Sequence, residues 1–177
     1  MNIVLDLDGV VADIAFGIDK RVDKGTDYSK WLIENNCDDV AMSIFNDPIF
    51  WKNLKPFADA WHEINFWFSK GIDVYIVTAR RTEASVQSTE KWLDQWRINT
   101  MRPIFTNIGE KYKVIKELNP EFVVEDNPNE IEILENHGIK CFMRNAWYNQ
   151  HRKKDFKNIN TLYELRVNDR FCTSPLS

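Results

Sequence analysis

Apolar residues along the chain follow two rhythms. In the first they run together in short blocks: Ile3-Val4-Leu5 with Leu7, Ile72 to Thr78, Pro103 to Thr106, Phe122-Val123-Val124, and Ile139 to Met143. Such blocks suit strands of a parallel sheet, which are buried on both faces. In the second rhythm they recur every three or four positions. Trp61, Ile64 and Phe68 share one face over residues 57–70, with Pro56 near the start and Gly71 just past the end. Val86, Leu93 and Trp96 do the same over 82–97. Further helices are predicted over 110–118, from Pro128 to near Gly138, and from Asn160 through the stretch NTLYELRVNDRF.

Strands alternating with helices predict a Rossmann-like α/β fold: a doubly wound parallel sheet in three α/β/α layers with right-handed crossovers. Residues 12 to about 55 interrupt the alternation. They are polar, charge-rich and helical in period, with Trp31, Leu32, Ile44 and Phe45 as apolar anchors and no strong strand. Trp61, Trp67, Trp92 and Trp96 are read as core at helical spacing.

Ligands of doubly wound sheets bind beyond the carboxyl ends of the strands, so the strand ends carry the chemistry. The first strand ends in Asp6-Leu7-Asp8-Gly9-Val10. Residues i and i+2 leave a strand on one side, which sends both carboxylates into one space, and Gly9 permits a sharp turn. The second strand ends in Thr78-Ala79-Arg80, a hydroxyl and a guanidinium suited to phosphate oxygens. Lys111 lies early in the helix before the next acidic strand end, which reads Val123-Val124-Glu125-Asp126-Asn127. Carboxylates brought together repel and favour a cation. With no His or Cys beside them, they suit a hard ion, Mg²⁺ above all next to phosphate.

Composition narrows the field. The 177 residues suit one domain, and 44% are hydrophobic, enough for a sizeable core. The net charge of -4 argues against sequence-blind nucleic-acid binding, and the basic run His151-Arg152-Lys153-Lys154 is read as a solvated loop. It leaves room for a small anionic substrate held by a metal ion. Cys37, Cys141 and Cys172 show no paired spacing, which predicts a reduced, cytoplasmic setting. No apolar run approaches a membrane span. MNIVLDLDGV lacks a basic leader and carries two aspartates in its apolar stretch, unlike a signal peptide.

In this order, DLDGV, Thr78, Lys111 and the Glu125-Asp126 pair resemble the four motifs of the haloacid dehalogenase superfamily, over nearly the whole chain. The dehalogenases themselves lack the second aspartate, so Asp8 resembles the phosphotransferase members. The resemblance implies a core domain at 1–11 and 56–177, with a small helical cap at 12–55 inserted after the first strand. It implies that Asp6 attacks phosphorus and that Asp8 serves as general acid and base. It places Thr78 and Lys111 on the phosphoryl group and Asp126 on Mg²⁺; the chemistry of the other strand-end groups adds Arg80 as a phosphate contact and Asp6, Asp8 and Glu125 as further Mg²⁺ ligands. Glu125 stands where many relatives have Asp. Lys113 competes for the lysine role, but KYKVIKEL aligns better with Lys111.

The stretch Phe50-Trp51-Lys52-Asn53-Leu54-Lys55-Pro56 and the later Trp147-Tyr148-Asn149 resemble the 5'(3')-deoxyribonucleotidase branch (cytosolic type C). That branch implies nucleoside monophosphates, often deoxy ones, as substrates, with Phe50 and Trp51 stacking on the base. A nucleic-acid end phosphatase, a sugar-phosphate phosphatase and an inactive phosphate-binding module stay open as alternatives.

Overall fold

The structure, a computed structural model, describes residues 1–167. Its centre is the Asn2–Leu5 strand (β1), which lies between Asp73–Thr78 (β2) and Phe122–Glu125 (β4), parallel to both. Ile104–Phe105 (β3) extends the sheet beyond β2. On the other side follow Cys141–Arg144 (β5) and Asn158–Ile159 (β6). The order β3-β2-β1-β4-β5-β6 is parallel throughout. The chain leaves β1 toward one edge and returns to the other beside it. The carboxyl end of β1 is therefore a topological switch point, where such sheets open a crevice.

Between β1 and β2 run four short helices, Ile14–Asp19 (α1), Ser29–Ile33 (α2), Asp39–Phe45 (α3) and Pro48–Asn53 (α4), and then Ala58–Ser69 (α5). Three of the short ones begin at aspartates whose side chains accept amide hydrogens of the first turn: Asp13 from Phe16, Asp38 from Ala41 and Asp47 from Ile49. Glu83–Trp96 (α6), Lys111–Leu118 (α7), Pro128–Asn136 (α8) and Tyr163–Val167 (α9) complete the helices among the described residues. The last of these covers part of the predicted closing helix; the rest of that stretch, and Cys172, lie outside the described residues.

Alternate β1 residues point into two cores. Ile3 and Leu5 join Val74 and Ile76 of β2 and Phe122 and Val124 of β4, packed with Ile64 of α5 and Trp92 of α6. Val4 faces the other way with Val123, Ile115 of α7, and Ile131 and Leu134 of α8. These two layers enclose the sheet, giving the three-layer Rossmann-like arrangement. The 12–55 segment shares the first core through Ile14, Ile18, Trp31, Ile44, Phe50 and Leu54.

α5 turns a different face inward than its apolar spacing predicts. Phe68 is 46% exposed, while Trp67 is buried. The buried face includes two acids, Asp59 and Glu63, and this rotates the helix. Asp59 receives both Nη atoms of buried Arg144, at 2.8 and 2.9 Å, and the Leu162 amide at 2.8 Å. Glu63 pairs with Arg166 at 2.6 Å. An apolar periodicity places such acids in solvent; their arginine partners, more than 80 residues away, reverse that. Among the described residues no helix is long and apolar enough to cross a membrane.

Candidate active site

The site is built where β1 stops. The Asp6 amide still donates to the Val124 carbonyl at 2.9 Å, so the backbone of Asp6 stays registered on β4. The chain then folds back on itself. The Leu7 carbonyl accepts the amides of Val11 at 2.9 Å and Ala12 at 2.7 Å, and the Gly9 amide reaches the Ala12 carbonyl at 2.9 Å. Gly9 has φ of +84°, and a Cβ there would collide with the Asp126 carboxylate and stand 2.6 Å from the Tyr148 hydroxyl. Glycine serves this turn on both counts.

α7 starts at Lys111 and delivers it under the sheet edge. Lys111 is buried, and its Nζ lies 2.6 Å from Asp6 Oδ1 and 2.6 Å from Glu125 Oε2. The other Glu125 oxygen accepts the amides of Asp126 at 3.0 Å and Asn127 at 3.1 Å. Lys113 is on the exposed side of the same helix, paired with Glu110, so Lys111 alone of the two lysines reaches the acids. Asp6, Glu125 and Asp126, all buried, each offer one oxygen within 4.8 Å of the others. Three carboxylates against one ammonium leave excess negative charge. Burial, then the Glu125 charge, push the Asp6 carboxyl up to about 8 against the pull of Lys111. The same two causes raise Asp126 well above the carboxylate range. Burial opposes the charge on Lys111, but Asp6 and Glu125 outweigh it and hold its pKa above the ordinary lysine value.

Thr78, at the end of β2, is buried and accepts the Arg80 amide on its hydroxyl at 3.3 Å. The Arg80 side chain turns to Asp8: Nε donates to Oδ2 at 2.8 Å and Nη2 to Oδ1 at 2.6 Å. Nη1 donates to Thr89 at 3.1 Å, and the guanidinium lies 4.3 Å from the centre of the Trp51 ring. Asp8 is thus held beside the three-acid group by its own arginine. Trp51 forms a wall of the cleft, with Nε1 on the Phe45 carbonyl at 2.8 Å. Phe50 stands behind it, edge to face at 4.9 Å, packed in the core against Leu54 and Gly17.

The cleft over these groups has an accessible volume of about 130 Å³. Trp31, Leu32, Asn35, Met42 and Phe45 of the 12–55 segment line it, as does Arg81, whose Nη2 donates to Cys37 Sγ at 3.9 Å. The end of α2 is tied to the acidic loop. Asn127 Nδ2 donates to the carbonyls of Leu32 and Ile33, at 3.2 and 3.1 Å, and Asn129 Nδ2 to that of Ile33 at 3.3 Å.

Three participants were not singled out from the sequence as site residues. Glu130, in the first turn of α8, lines the cleft and accepts the Gly109 amide at 2.6 Å. Its other oxygen is buried without a donor. The i, i+4 spacing of two acids across Pro128 was the available signal. Tyr148 donates its hydroxyl to Asp126 Oδ2, and Asn149 Nδ2 donates to the Asp126 carbonyl at 2.8 Å. That contact spans more than 20 residues, and no local pattern announces it.

The donor set tests whether a cation belongs here. It is all oxygen, buried, in excess of its own counter-charge, and flanked by the orphaned oxygen of Glu130. Those properties fit a small hard divalent ion and not a soft metal.

Known proteins place the fold. No protein-family model matches the chain, and no curated protein matches it in sequence. Solved structures do. One is a haloacid dehalogenase-like family hydrolase from Streptococcus pneumoniae, with TM-score 0.63 and 12% identity over 95% of this chain and 98% of that one. A second is D,D-heptose 1,7-bisphosphate phosphatase from Burkholderia thailandensis, with TM-score 0.60 and 11% identity over 98% and 99%. A third is CbbY from Rhodobacter sphaeroides in complex with phosphate, with TM-score 0.60 and 13% identity over 93% and 95%. At these identities the likeness is one of fold.

Proposed function

We propose that the chain is a Mg²⁺-dependent phosphomonoesterase of haloacid dehalogenase type, acting in the cytoplasm on nucleoside monophosphates, deoxyribonucleotides in particular. The observation that carries the reading is the Lys111 ammonium, 2.6 Å from both Asp6 and Glu125 at the carboxyl edge of the sheet. A buried lysine there orients one carboxylate and places positive charge where phosphoryl oxygens would arrive. Two of the three fold relatives described above are named for phosphate chemistry or hold phosphate.

Asp6, Glu125 and Asp126 would hold the ion, which supplies neutralisation between an anionic nucleophile and an anionic substrate. An Asp6 oxygen bonds to phosphorus as the phosphorus–oxygen bond of the ester breaks. Asp8, having released one oxygen from its Arg80 pair and taken up a proton from solvent, passes that proton to the departing alkoxide. Asp8 then takes a proton from water as that water attacks the aspartyl-phosphate, which releases inorganic phosphate and frees Asp6. Thr78 and Lys111 steady the transferred oxygens, while Arg80 holds Asp8 in line. Trp51 forms the wall that a base would meet, and Phe50 supports it from behind.

A panel of deoxynucleoside monophosphates, sugar phosphates and 5'-phosphorylated oligonucleotides, run in Mg²⁺ and in EDTA, tests the reading. Mg²⁺-dependent release of phosphate is expected, fastest from the deoxynucleotides. Release from none of them would remove the phosphatase assignment. Faster release from sugar phosphates or oligonucleotides would remove the substrate assignment alone.

A further inference from the structure

Trp147, Tyr148 and Asn149 reach the acids from a short 3-10 turn, Trp147–Arg152, that carries none of the reacting groups. Each makes a different connection. The Trp147 ring meets Tyr28 of the 12–55 segment edge to face at 5.1 Å. The Tyr148 hydroxyl, buried, donates to Oδ2 of Asp126. Asn149, fully buried, donates Nδ2 to the Asp126 carbonyl at 2.8 Å and the Arg144 carbonyl at 2.9 Å, and accepts the Ala146 amide at 2.9 Å. Asp126 is thereby held at both its side chain and its main chain. Lys111 grips Asp6 and Glu125 with a full positive charge, whereas the donors on Asp126 are neutral.

That difference has a consequence for cation binding. A charged donor competes with an incoming cation for the carboxylate. A phenol fixes the rotation of the carboxylate while leaving its negative charge uncompensated. With Oδ2 bonded to Tyr148, the rotation of the Asp126 carboxylate is fixed beside Asp6 and Glu125. Gly9 keeps the space open, because a side chain there would meet both the carboxylate and the hydroxyl.

We propose that Tyr148 is a positioning residue that sets cation affinity at the Asp6, Glu125 and Asp126 site by holding Asp126 through Oδ2. The inference rests on the metal-dependent reading above. Hydrogen-bond partners of metal-ligating carboxylates change metal affinity by about 10- to 100-fold when removed. Tyr148→Phe deletes one oxygen and keeps the ring. Tyr28→Phe is the matched control. Its hydroxyl is also in a buried tyrosine, bonded to Asp19 at 2.6 Å and to the Ala15 carbonyl at 3.2 Å.

The experiment is calorimetric titration of Mg²⁺ into the whole chain without substrate, for the wild type and both variants, with melting curves alongside. The expected result is binding by the wild type, binding about 10- to 100-fold weaker in Tyr148→Phe, and unchanged binding in Tyr28→Phe. If Tyr148→Phe does not fold, Tyr148→Met, which also lacks the hydroxyl, is titrated in its place with the same expectation. Wild-type affinity in the Tyr148 variant, or equal weakening in both tyrosine variants, overturns the role of Tyr148 and leaves the metal-dependent reading standing. No Mg²⁺ binding by the wild type overturns that reading and this inference with it.

Discussion

Arg80 holds both oxygens of Asp8, through Nε at 2.8 Å and Nη2 at 2.6 Å, while the guanidinium lies against Trp51. The arrangement uses the planar fork of arginine in two ways at once, for a bidentate pair and for a stack, and lysine reproduces neither. Arg80→Lys keeps the charge and frees Asp8 to rotate. Misplacing a proton-transferring group by about 1 Å costs on the order of 100-fold, so kcat for a deoxynucleotide is expected to fall by about that factor. Steady-state kinetics decide the point; an unchanged kcat would mean that Asp8 needs no clamp.

Asp6→Asn removes the proposed nucleophile and keeps the shape. Turnover is expected to drop by on the order of 10⁴ or more, as when other covalent nucleophiles are removed. In EDTA the variant should melt no lower than the wild type, because burial and Glu125 already disfavour the ionised Asp6. Activity assays paired with melting curves test both halves. Substantial residual turnover would remove the aspartyl-phosphate.

Protons and cations compete for the same acids. Asp6 is raised from 3.8 to about 8 in the folded chain, so between those values the metal-free fold holds a proton that the unfolded chain has lost. Its stability contribution therefore falls as pH rises through that window. Asp126 shifts in the same direction. Mg²⁺ requires the ionised acids, so the rise in Tm caused by Mg²⁺ is expected to grow from about pH 6 to about pH 8. Melting at both pH values, with and without Mg²⁺, measures it. An equal rise at both would show that the acids ionise without help.

Trp51 and Phe50 separate a cleft wall from its backing. Stacking on a base contributes about 1–3 kcal/mol, so Trp51→Ala should lower kcat/KM for a deoxynucleotide by about 5- to 150-fold. p-Nitrophenyl phosphate, too short to reach the wall, should lose little. Phe50→Ala should cost about 3–5 kcal/mol of stability and leave the ratio of the two substrates unchanged. A constant ratio in both variants would make both residues core.

The strands at the centre of the sheet are legible because β1, β2 and β4 are unbroken apolar runs, and the site acids are legible because they sit at the ends of those runs. What escapes the sequence lacks a local pattern. β6 is a two-residue strand, and Asn158 carries no strand signal. The inward face of α5 depends on Arg144 and Arg166 neutralising Asp59 and Glu63, which no window of a dozen residues contains. Arg80 is at its expected place at the end of β2, yet its contact with Asp8 spans 72 residues. Tyr148 reaches Asp126 only because β5 and β4 are neighbours in the sheet.

Lys111 acts as a resident counter-ion. With its ammonium between Asp6 and Glu125, the cleft carries a cation of its own from the moment the chain folds. Domains that depend on a metal for folding collapse when a chelator removes it; this one holds its acidic edge together by ion pairs to a charge on its own chain. On the metal-dependent reading proposed above, folding would then be complete before any ion arrives. On that reading, a chelator would silence the protein without unfolding it, and returned ion would revive it without a chaperone.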